Sequence, residues 1–262
     1  MERAIFISKI KNLKYVTEQY SRLYFGNEFC ESLIPSLEDL TYILRFTTEK
    51  GMKFTLVSPY VTNEGIRKLK PLIDRLADRQ PACEIVVNDW GILRLLNMKY
   101  AKLNLLLGRL LTKQKKGPRI LNLLDKISQD SILYFQKSNV DNRVIHDFLI
   151  SKNIKRLELD NPLHGILRPP SSINGSLYIP YGYVTTSRFC FHACYKNRTK
   201  LLATASYCNK ECQKYTFKLQ HKSMPVELIL KGNTQFFKNE HLPDNLEQLN
   251  IDRLIYQPEV PL

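Results

Sequence analysis

The sequence predicts an α/β protein in a single domain, with its strands closed into an irregular (β/α)8 barrel of the TIM type. About eight strand-like segments alternate with helix-like segments, which is typical of a parallel sheet. The length of 262 residues suits one closed barrel, and no low-complexity stretch marks a domain boundary. A GxGxxG turn is absent, which argues against a dinucleotide-binding fold.

The first strand is predicted at 22–27, RLYFGN, and the turn after it carries Cys30. Ser36 is expected to cap the next helix, because Asp39 stands three residues later, as in a capping box, and an apolar face at helical spacing follows. Gly51 ends this helix.

The same rhythm continues through the middle of the chain. KFTLVSP at 53–59 and ACEIVVND at 82–89 read as strands covered on both faces, and a helix opening at Asn63 separates them. A short helix, WGILRLLN, precedes the strand AKLNLLLGR at 101–109, and its residue Trp90 is expected in the core.

After 109 the alternation breaks into a basic segment and resumes with an amphipathic helix at 141–153. The remaining strands are predicted in four segments, which are KRLELDNP at 155–162, SLYIPYGYVT at 176–185, MPVELILKGNT at 224–234 and IDRLIYQP at 251–258. We expect the barrel to be irregular after its fourth and sixth predicted strands.

The chain is basic, with 39 Lys and Arg against 25 Asp and Glu and a formal charge of +14. This balance favours an anionic partner, either RNA or an anionic small molecule. The basic residues are scattered, and the densest run, KQKKGPR at 113–119, is typical of a solvated loop. No apolar run approaches the ~20 residues of a membrane helix, and the N-terminus lacks the apolar core of a signal peptide. We therefore expect a cytoplasmic protein without membrane insertion.

The segment 188–214 is rich in cysteine. Cys190 and Cys194 form one CxxxC pair and Cys208 and Cys212 another, with thirteen residues between the pairs. Four clustered thiolates would select zinc or an iron–sulfur cluster, whereas the alternatives are disulfides or unrelated core thiols. Cys83 precedes a strand and is expected to be structural.

In a barrel, chemistry lies at the carboxyl ends of the strands. Arg109 is a candidate to bind a carboxylate or phosphate, and Glu158 or Asp160 is a candidate to act as a general base or to orient one. Arg109 and Glu158 are our candidates for contacts with an anionic substrate. The alternative for each is an ordinary strand-end residue that caps a helix, which is the role we expect for Asn88 and Asp89. The polar or Gly residues at predicted strand ends are Gly26, Asn27, Ser58, Asn88, Asp89, Gly108, Arg109, Glu158, Asp160 and Arg188.

Four stretches carry a resemblance to a known family. They are YFGNEFC at 24–30, EIVVNDWGILRLL at 84–96, LLLGRLLTKQKKGPR at 105–119, and SRFC with CNKEC near 187–212. The sequence resembles the U32 (collagenase-like) peptidase family, and especially its short UbiV-like iron–sulfur members. This resemblance implies a TIM-type barrel, a 4Fe-4S cluster, a role in oxygen-independent hydroxylation, and a homologous family member as partner.

The resemblance also implies a ligand set. Cys30 matches the ligand after the first strand, and Cys208 with Cys212 matches the final pair. Cys190 matches the remaining ligand by its context and Cys194 by its spacing, so five cysteines stand for four positions. Local spacing alone would select Cys190, Cys194, Cys208 and Cys212.

Three hypotheses follow from the sequence. The first is an iron–sulfur barrel protein that catalyses or assists an oxygen-independent hydroxylation or related modification. The second is an RNA-modifying or RNA-binding factor, and the third is a barrel with a structural zinc site. The GxSxG and HExxH signatures are absent, and no nucleophile and base support peptidase activity.

Overall fold

The structure is a computed structural model that describes residues 1–79, 83–169, 173–195 and 208–262. Within these ranges the strands are, in chain order, β1 (Glu2–Ile7), β2 (Arg22–Gly26), β3 (Lys53–Val57), β4 (Glu84–Val87), β5 (Asn104–Leu107), β6 (Ile154–Asp160), β7 (Asn174–Ile179), β8 (Tyr181–Thr186), β9 (Phe217–Leu219), β10 (Leu228–Lys231), β11 (Thr234–Lys238) and β12 (Ile251–Tyr256). Eight of them are parallel and close into a barrel in the order β1-β12-β7-β6-β5-β4-β3-β2. The predicted (β/α)8 barrel is therefore confirmed.

Helices follow most of the barrel strands. Their bounds are α1 (Leu37–Glu49), α2 (Asn63–Arg79), α3 (Trp90–Lys99), α4 (Arg109–Thr112), α5 (Gln129–Gln136), α6 (Arg143–Ser151) and α7 (Phe191–Cys194). The capping box predicted for α1 is present, since the Ser36 hydroxyl accepts from the Asp39 amide at 3.0 Å and the Asp39 carboxylate accepts from the Ser36 amide at 3.1 Å. No helix in the described ranges is long and apolar enough to cross a membrane.

The strand prediction contains two errors, one strand missed and one wrongly added, which leave the number of barrel strands unchanged. The sequence prediction omitted β1, whose short run Ala4–Ile7 is buried and pairs with both β2 and β12. It also counted MPVELILKGNT as a barrel strand, but β10 within this segment pairs only with β9 and β11. The predicted number of barrel strands is therefore right although its membership is not.

The segment SLYIPYGYVT is two strands, not one. Pro180 separates β7, which belongs to the barrel, from β8, which belongs to a four-stranded antiparallel sheet with the order β8-β11-β10-β9. Proline has no N–H to donate to a ladder, so it interrupts a central strand. This small sheet begins directly at the carboxyl end of a barrel strand.

The inside of the barrel is polar at the amino ends of its strands. Arg253 donates to Glu2 at 2.5 Å and to Glu84 at 2.8 and 3.0 Å, and Arg22 donates to Glu2 at 3.0 Å. Above this layer the interior is mainly apolar, formed by Ala4, Phe6, Tyr24, Val57, Val86, Leu106, Tyr178 and Ile255. The amino end of the barrel is thus closed by paired charges, which leaves the carboxyl end for a site.

Candidate functional site

Four buried charged side chains form a network at the carboxyl end of the barrel. We call Glu28, Arg109, Lys116 and Asp160 the rim network; each side chain is at most 4% exposed. Arg109 Nε donates to Glu28 Oε1 at 3.1 Å and Nη2 donates to Oε2, while Nη1 donates to Asp160 Oδ1 at 2.8 Å. Lys116 Nζ donates to the other oxygen of Asp160. Two cations and two anions therefore compensate each other in a dry environment.

Aromatic rings complete the surroundings of the two cations. The Arg109 guanidinium lies 4.0 Å from the centroid of Tyr178, and Lys116 Nζ lies 3.2 Å from the centroid of Tyr183. Burial lowers the pKa of Lys116 to about 8, although Asp160 acts in the opposite direction.

The sequence made Arg109 a candidate to bind a carboxylate or phosphate of a substrate. In the structure its bidentate contact is with Glu28 of this chain. Arg109 Nη1 also donates to the carbonyl oxygen of Tyr181 at 2.9 Å. These contacts occupy its guanidinium, so a contact of Arg109 with a substrate remains only a prediction.

The turn that carries Cys30 is held in place by its neighbours. Gly26 has a φ of 138°, and a Cβ there would lie 2.1 Å from the carbonyl oxygen of Val57, so the close approach of β2 to β3 requires glycine. Asn27 Oδ1 then accepts from the amides of Phe29 at 3.0 Å and Cys30 at 2.9 Å. Together with the Glu28–Arg109 ion pair, these bonds orient Cys30 toward the small sheet.

Four cysteines line one cavity beside this turn. We call it the thiol cavity; it has a volume of about 330 Å³ and its cysteines are Cys30, Cys190, Cys208 and Cys212. Its other lining residues include Phe29, Leu33, Tyr60, Arg188, Phe189, Ala193 and Leu262. The cysteines come from the β2 turn, the residue before α7 and the segment after residue 207, so distant parts of the sequence meet here.

The fifth predicted ligand, Cys194, is buried but is not among the residues that line the thiol cavity. Cys83 is buried in the core beside β4, where the sequence predicted a structural role. All six cysteines lie in the described ranges, and no disulfide joins any of them. Of the three ligand sets that the sequence left open, the set whose four members all line this cavity is Cys30, Cys190, Cys208 and Cys212.

Burial and the neighbouring cysteines suppress ionisation in the thiol cavity. They raise the pKa of Cys30 and Cys212, and they raise the pKa of Cys190 to about 11. Such thiols lose their protons when a metal binds them. Within the described part of the chain, no group of three or more His, Cys, Asp or Glu side chains is arranged to hold a metal ion.

Glu158 lies inside the barrel and lines neither the thiol cavity nor the cleft described next. It is fully buried, and its Oε1 accepts from Ser176 at 3.1 Å and from the Tyr24 hydroxyl at 3.3 Å. Burial raises its pKa to about 7. Its proposed catalytic role remains a prediction.

A second concave site adjoins the thiol cavity. We call it the rim cleft; it has a volume of about 610 Å³ and lies between the loops after β4 and β5 and strand β8. Tyr60 and Arg188 line both sites and form the wall between them. The other residues of the cleft include Asn88, Asp89, Trp90, Lys113, Gln114, Lys116, Tyr183 and Thr185.

Trp90 corrects one prediction, because its side chain is 47% exposed and lines the rim cleft. Asp89 caps α3, accepting from the amides of Gly91 at 2.7 Å and Ile92 at 3.1 Å, as the sequence predicted. Asn88 instead joins loops, since it donates to the carbonyl oxygen of Ser58 at 2.9 Å and accepts from the amide of Leu110 at 3.1 Å. Trp90 thereby becomes the first residue of the helix, at the mouth of the cleft.

Sequence reasoning did not single out Lys116 and Tyr60. Lys116 lies in a basic run that looks like a solvated loop, and nothing local signals that its ammonium reaches a buried carboxylate. The signal that could have pointed to Lys116 was its place in the LLLGRLLTKQKK stretch, which follows the NDWG turn in the sequence.

The fold and the site define an α/β barrel with a thiol-lined cavity and an adjoining cleft at the carboxyl ends of its strands. The structure is similar to that of the U32 peptidase Mk0906, with a TM-score of 0.50 and 12% identity over 100% of this chain and 94% of that chain. At this identity the likeness shows the fold alone, which is that of a U32 peptidase.

Two further solved structures resemble the barrel more weakly. One is YKL-39 with chitooligosaccharides, with a TM-score of 0.40 and 11% identity over 98% of this chain and 92% of that chain. The other is a chitinase from Trichuris suis, with a TM-score of 0.40 and 10% identity over 97% and 91% of the two chains. No family model matches the sequence, and no curated protein matches it.

We predict that Arg109→Met lowers the free energy of unfolding by about 3–5 kcal/mol, because it leaves Glu28 and part of the charge of Asp160 buried without a partner. Urea unfolding of the variant and the wild type measures this difference. Arg119→Met, at an exposed position of the same loop region, is the control and should change stability by less than about 0.5 kcal/mol. Equal effects of the two substitutions would contradict the structural role of the rim network.

Glu158 predicts a specific pH dependence of stability. Its pKa is about 7 in the folded protein and near the ordinary glutamate value of 4.5 when unfolded, so its contribution to stability is complete below about pH 4.5 and is lost as the pH rises through 7. Between pH 5 and 8 the wild type should lose on the order of 3 kcal/mol of unfolding free energy relative to Glu158→Gln. Urea unfolding of both proteins across this range provides the test, and parallel pH profiles would contradict it.

Proposed function

We propose that this chain is an iron–sulfur protein with a U32-type barrel, which catalyses or assists an oxygen-independent hydroxylation or related modification. In this proposal Cys30, Cys190, Cys208 and Cys212 hold a 4Fe-4S cluster. The observation that carries it is the convergence of four thiols from separate segments on one cavity. The reaction class has no support from the cavity and is taken from the resemblance to U32 members.

The donor set and the cavity both suit such a cluster. Four thiolates are the usual ligands of a 4Fe-4S cluster. A single zinc ion is enclosed directly by its ligands at about 2.3 Å, whereas a cluster of several atoms needs a cavity of its own. The thiol cavity has about 330 Å³, and rings and aliphatic side chains cover much of its wall. A dry apolar wall also limits solvent access, which influences the potential of a cluster.

The chain's own residues connect the thiol cavity with the rim cleft. When bound, a cluster would supply one-electron transfer across the wall formed by Tyr60 and Arg188. The Arg188 guanidinium lies 5.4 Å from the centroid of Tyr60 and donates to the carbonyl oxygen of Val61 at 3.2 Å. The Tyr60 hydroxyl donates to the carbonyl oxygen of Ser187 at 2.6 Å and accepts from Asn233 at 2.9 Å. These contacts hold the wall in one position and keep the two sites separate.

The proposal includes a cytoplasmic location and a homologous family member as partner in a hetero-oligomer. Six cysteines without a disulfide are what a reducing compartment favours. The partner follows from the resemblance stated above.

Metal analysis of protein purified without oxygen tests this function. We expect brown protein with about four iron and four sulfide per chain, and Ala substitution of Cys30, Cys190, Cys208 or Cys212 should abolish or strongly reduce both. Cys194→Ala is the matched control, because this cysteine is close in sequence but does not line the cavity. Colourless protein that contains stoichiometric zinc would contradict the iron–sulfur proposal and support the structural zinc site instead.

The net charge of +14 favours a second candidate, an RNA-modifying or RNA-binding factor. This candidate predicts binding to single-stranded RNA whose affinity falls steeply between 50 and 200 mM salt, by about 300-fold if about six phosphates are contacted. Filter binding at several salt concentrations measures the slope. A flat or absent salt dependence would exclude phosphate recognition as the role of the excess charge.

A further inference from the structure

We propose that the rim cleft binds a flat aromatic ring that carries one anionic group, either a carboxylate or a phosphate. This inference deepens the proposed function and rests on it only in taking the ligand to be the substrate; the binding itself is argued from the cleft. At about 610 Å³ the cleft has the size of a small-molecule site and lies where barrel enzymes bind their ligands.

The charge balance of the cleft favours an anion. The charged residues that line it are Asp89, Lys113, Lys116 and Arg188. Lys116 is paired with Asp160 of the rim network, and Asp89 is occupied by the amides at the start of α3. Within the described ranges, neither Lys113 nor Arg188 forms an ion pair with a carboxylate, and both are exposed. Two cations that line the cleft therefore remain for a ligand.

Most uncharged polar groups of the cleft are already engaged. Gln114 exchanges two hydrogen bonds with the backbone of Asp160, at 3.1 and 2.7 Å. Asn88 bonds the backbone of Ser58 and Leu110. A sugar needs many free hydrogen-bond donors and acceptors, and the cleft offers few of them. A ligand with one anionic group needs only the cations Lys113 and Arg188.

An exposed indole supplies the apolar contact. Tyr183 and Tyr60 already face Lys116 and Arg188, so their rings are partly engaged. Trp90 is 47% exposed, and its ring meets Phe148 edge to face at a centroid distance of 5.9 Å. Phe148 restrains the indole and leaves area of the ring uncovered beside the cleft, where a second flat ring can stack.

The rim cleft lies beside the thiol cavity, so a ligand in the cleft is close to that cavity. Arg188 and Tyr60 line both sites, so an anion bound by Arg188 places the attached ring near the wall of the thiol cavity. A substrate in this position would be close to a cluster without contacting it.

Four small probes test the proposal on protein purified without oxygen. Benzoate and phenyl phosphate carry a ring and an anion, benzyl alcohol carries only the ring, and cyclohexanecarboxylate carries the anion without aromaticity. Trp90 is the only tryptophan of the chain, so its fluorescence reports binding at the cleft directly. We expect at least one of the first two probes to quench this emission at least ten-fold more tightly than both others, and the preferred probe identifies the acid as carboxylate or phosphate.

Charge variants locate the anion. Lys113→Gln and Arg188→Gln should each weaken binding about ten-fold, which corresponds to about 1.4 kcal/mol. Lys126→Gln removes a charge from an exposed residue that does not line the cleft and should leave affinity unchanged. Equal binding of all four probes, or an affinity that neither cleft variant lowers, would overturn the proposal.

The same titration on Cys208→Ala protein separates this inference from the proposed function. Binding that persists in protein without iron, whether wild type or variant, supports the cleft independently of the cluster. Wild-type protein that contains the cluster but binds none of the probes would overturn the cleft and leave the iron–sulfur assignment standing.

Discussion

The buried guanidinium of Arg109 is the constraint on which the site depends. It joins the turn after β2, the end of β6 and the start of β8 through Glu28, Asp160 and the carbonyl oxygen of Tyr181. A charge in this position is tolerated only because carboxylates compensate it, so the three segments are restrained to one arrangement. Lys116 balances the remaining charge, which leaves two cations and two anions in the network.

This arrangement determines where the cysteines lie. Tyr183 of β8 and Phe236 of β11 pack against Phe29, each with a ring centroid distance of 5.3 Å. The small sheet is thereby held against the turn that carries Cys30, and Cys190 follows β8 directly in the chain. The ion pairs close the top of the barrel, while the aromatic contacts bring the cysteine-rich segment to its edge. The thiol cavity and the rim cleft lie on the two sides of the Tyr60–Arg188 wall that results.

The regular part of the barrel could be predicted because its signals are local. Ser36 and Asp39 cap α1, Asp89 caps α3, and apolar runs mark the buried strands, as the sequence indicated. The errors fall where the deciding contacts are not local. An apolar run looks the same in a barrel strand and in the small sheet, so β10 was wrongly assigned to the barrel. β1 was missed because one of its pairing partners, β12, lies at the other end of the chain. Trp90 was expected in the core because a large apolar ring usually is, but its place at the first turn of α3 exposes it.

The sequence by itself determined the fold class and the starts of α1, α2 and α3, and it indicated a cysteine-rich site, because periodicity, capping residues and cysteine content are properties of short segments. Five cysteines were candidates for four positions, and local spacing alone selected Cys194, which does not line the cavity, in place of Cys30, which does. Only the tertiary structure decided that Cys30 lines this cavity and Cys194 does not. The physical reason is that the ion pair of Arg109 with Glu28 and the packing of Phe29 against Phe236 join residues far apart in the chain, where local sequence carries no signal.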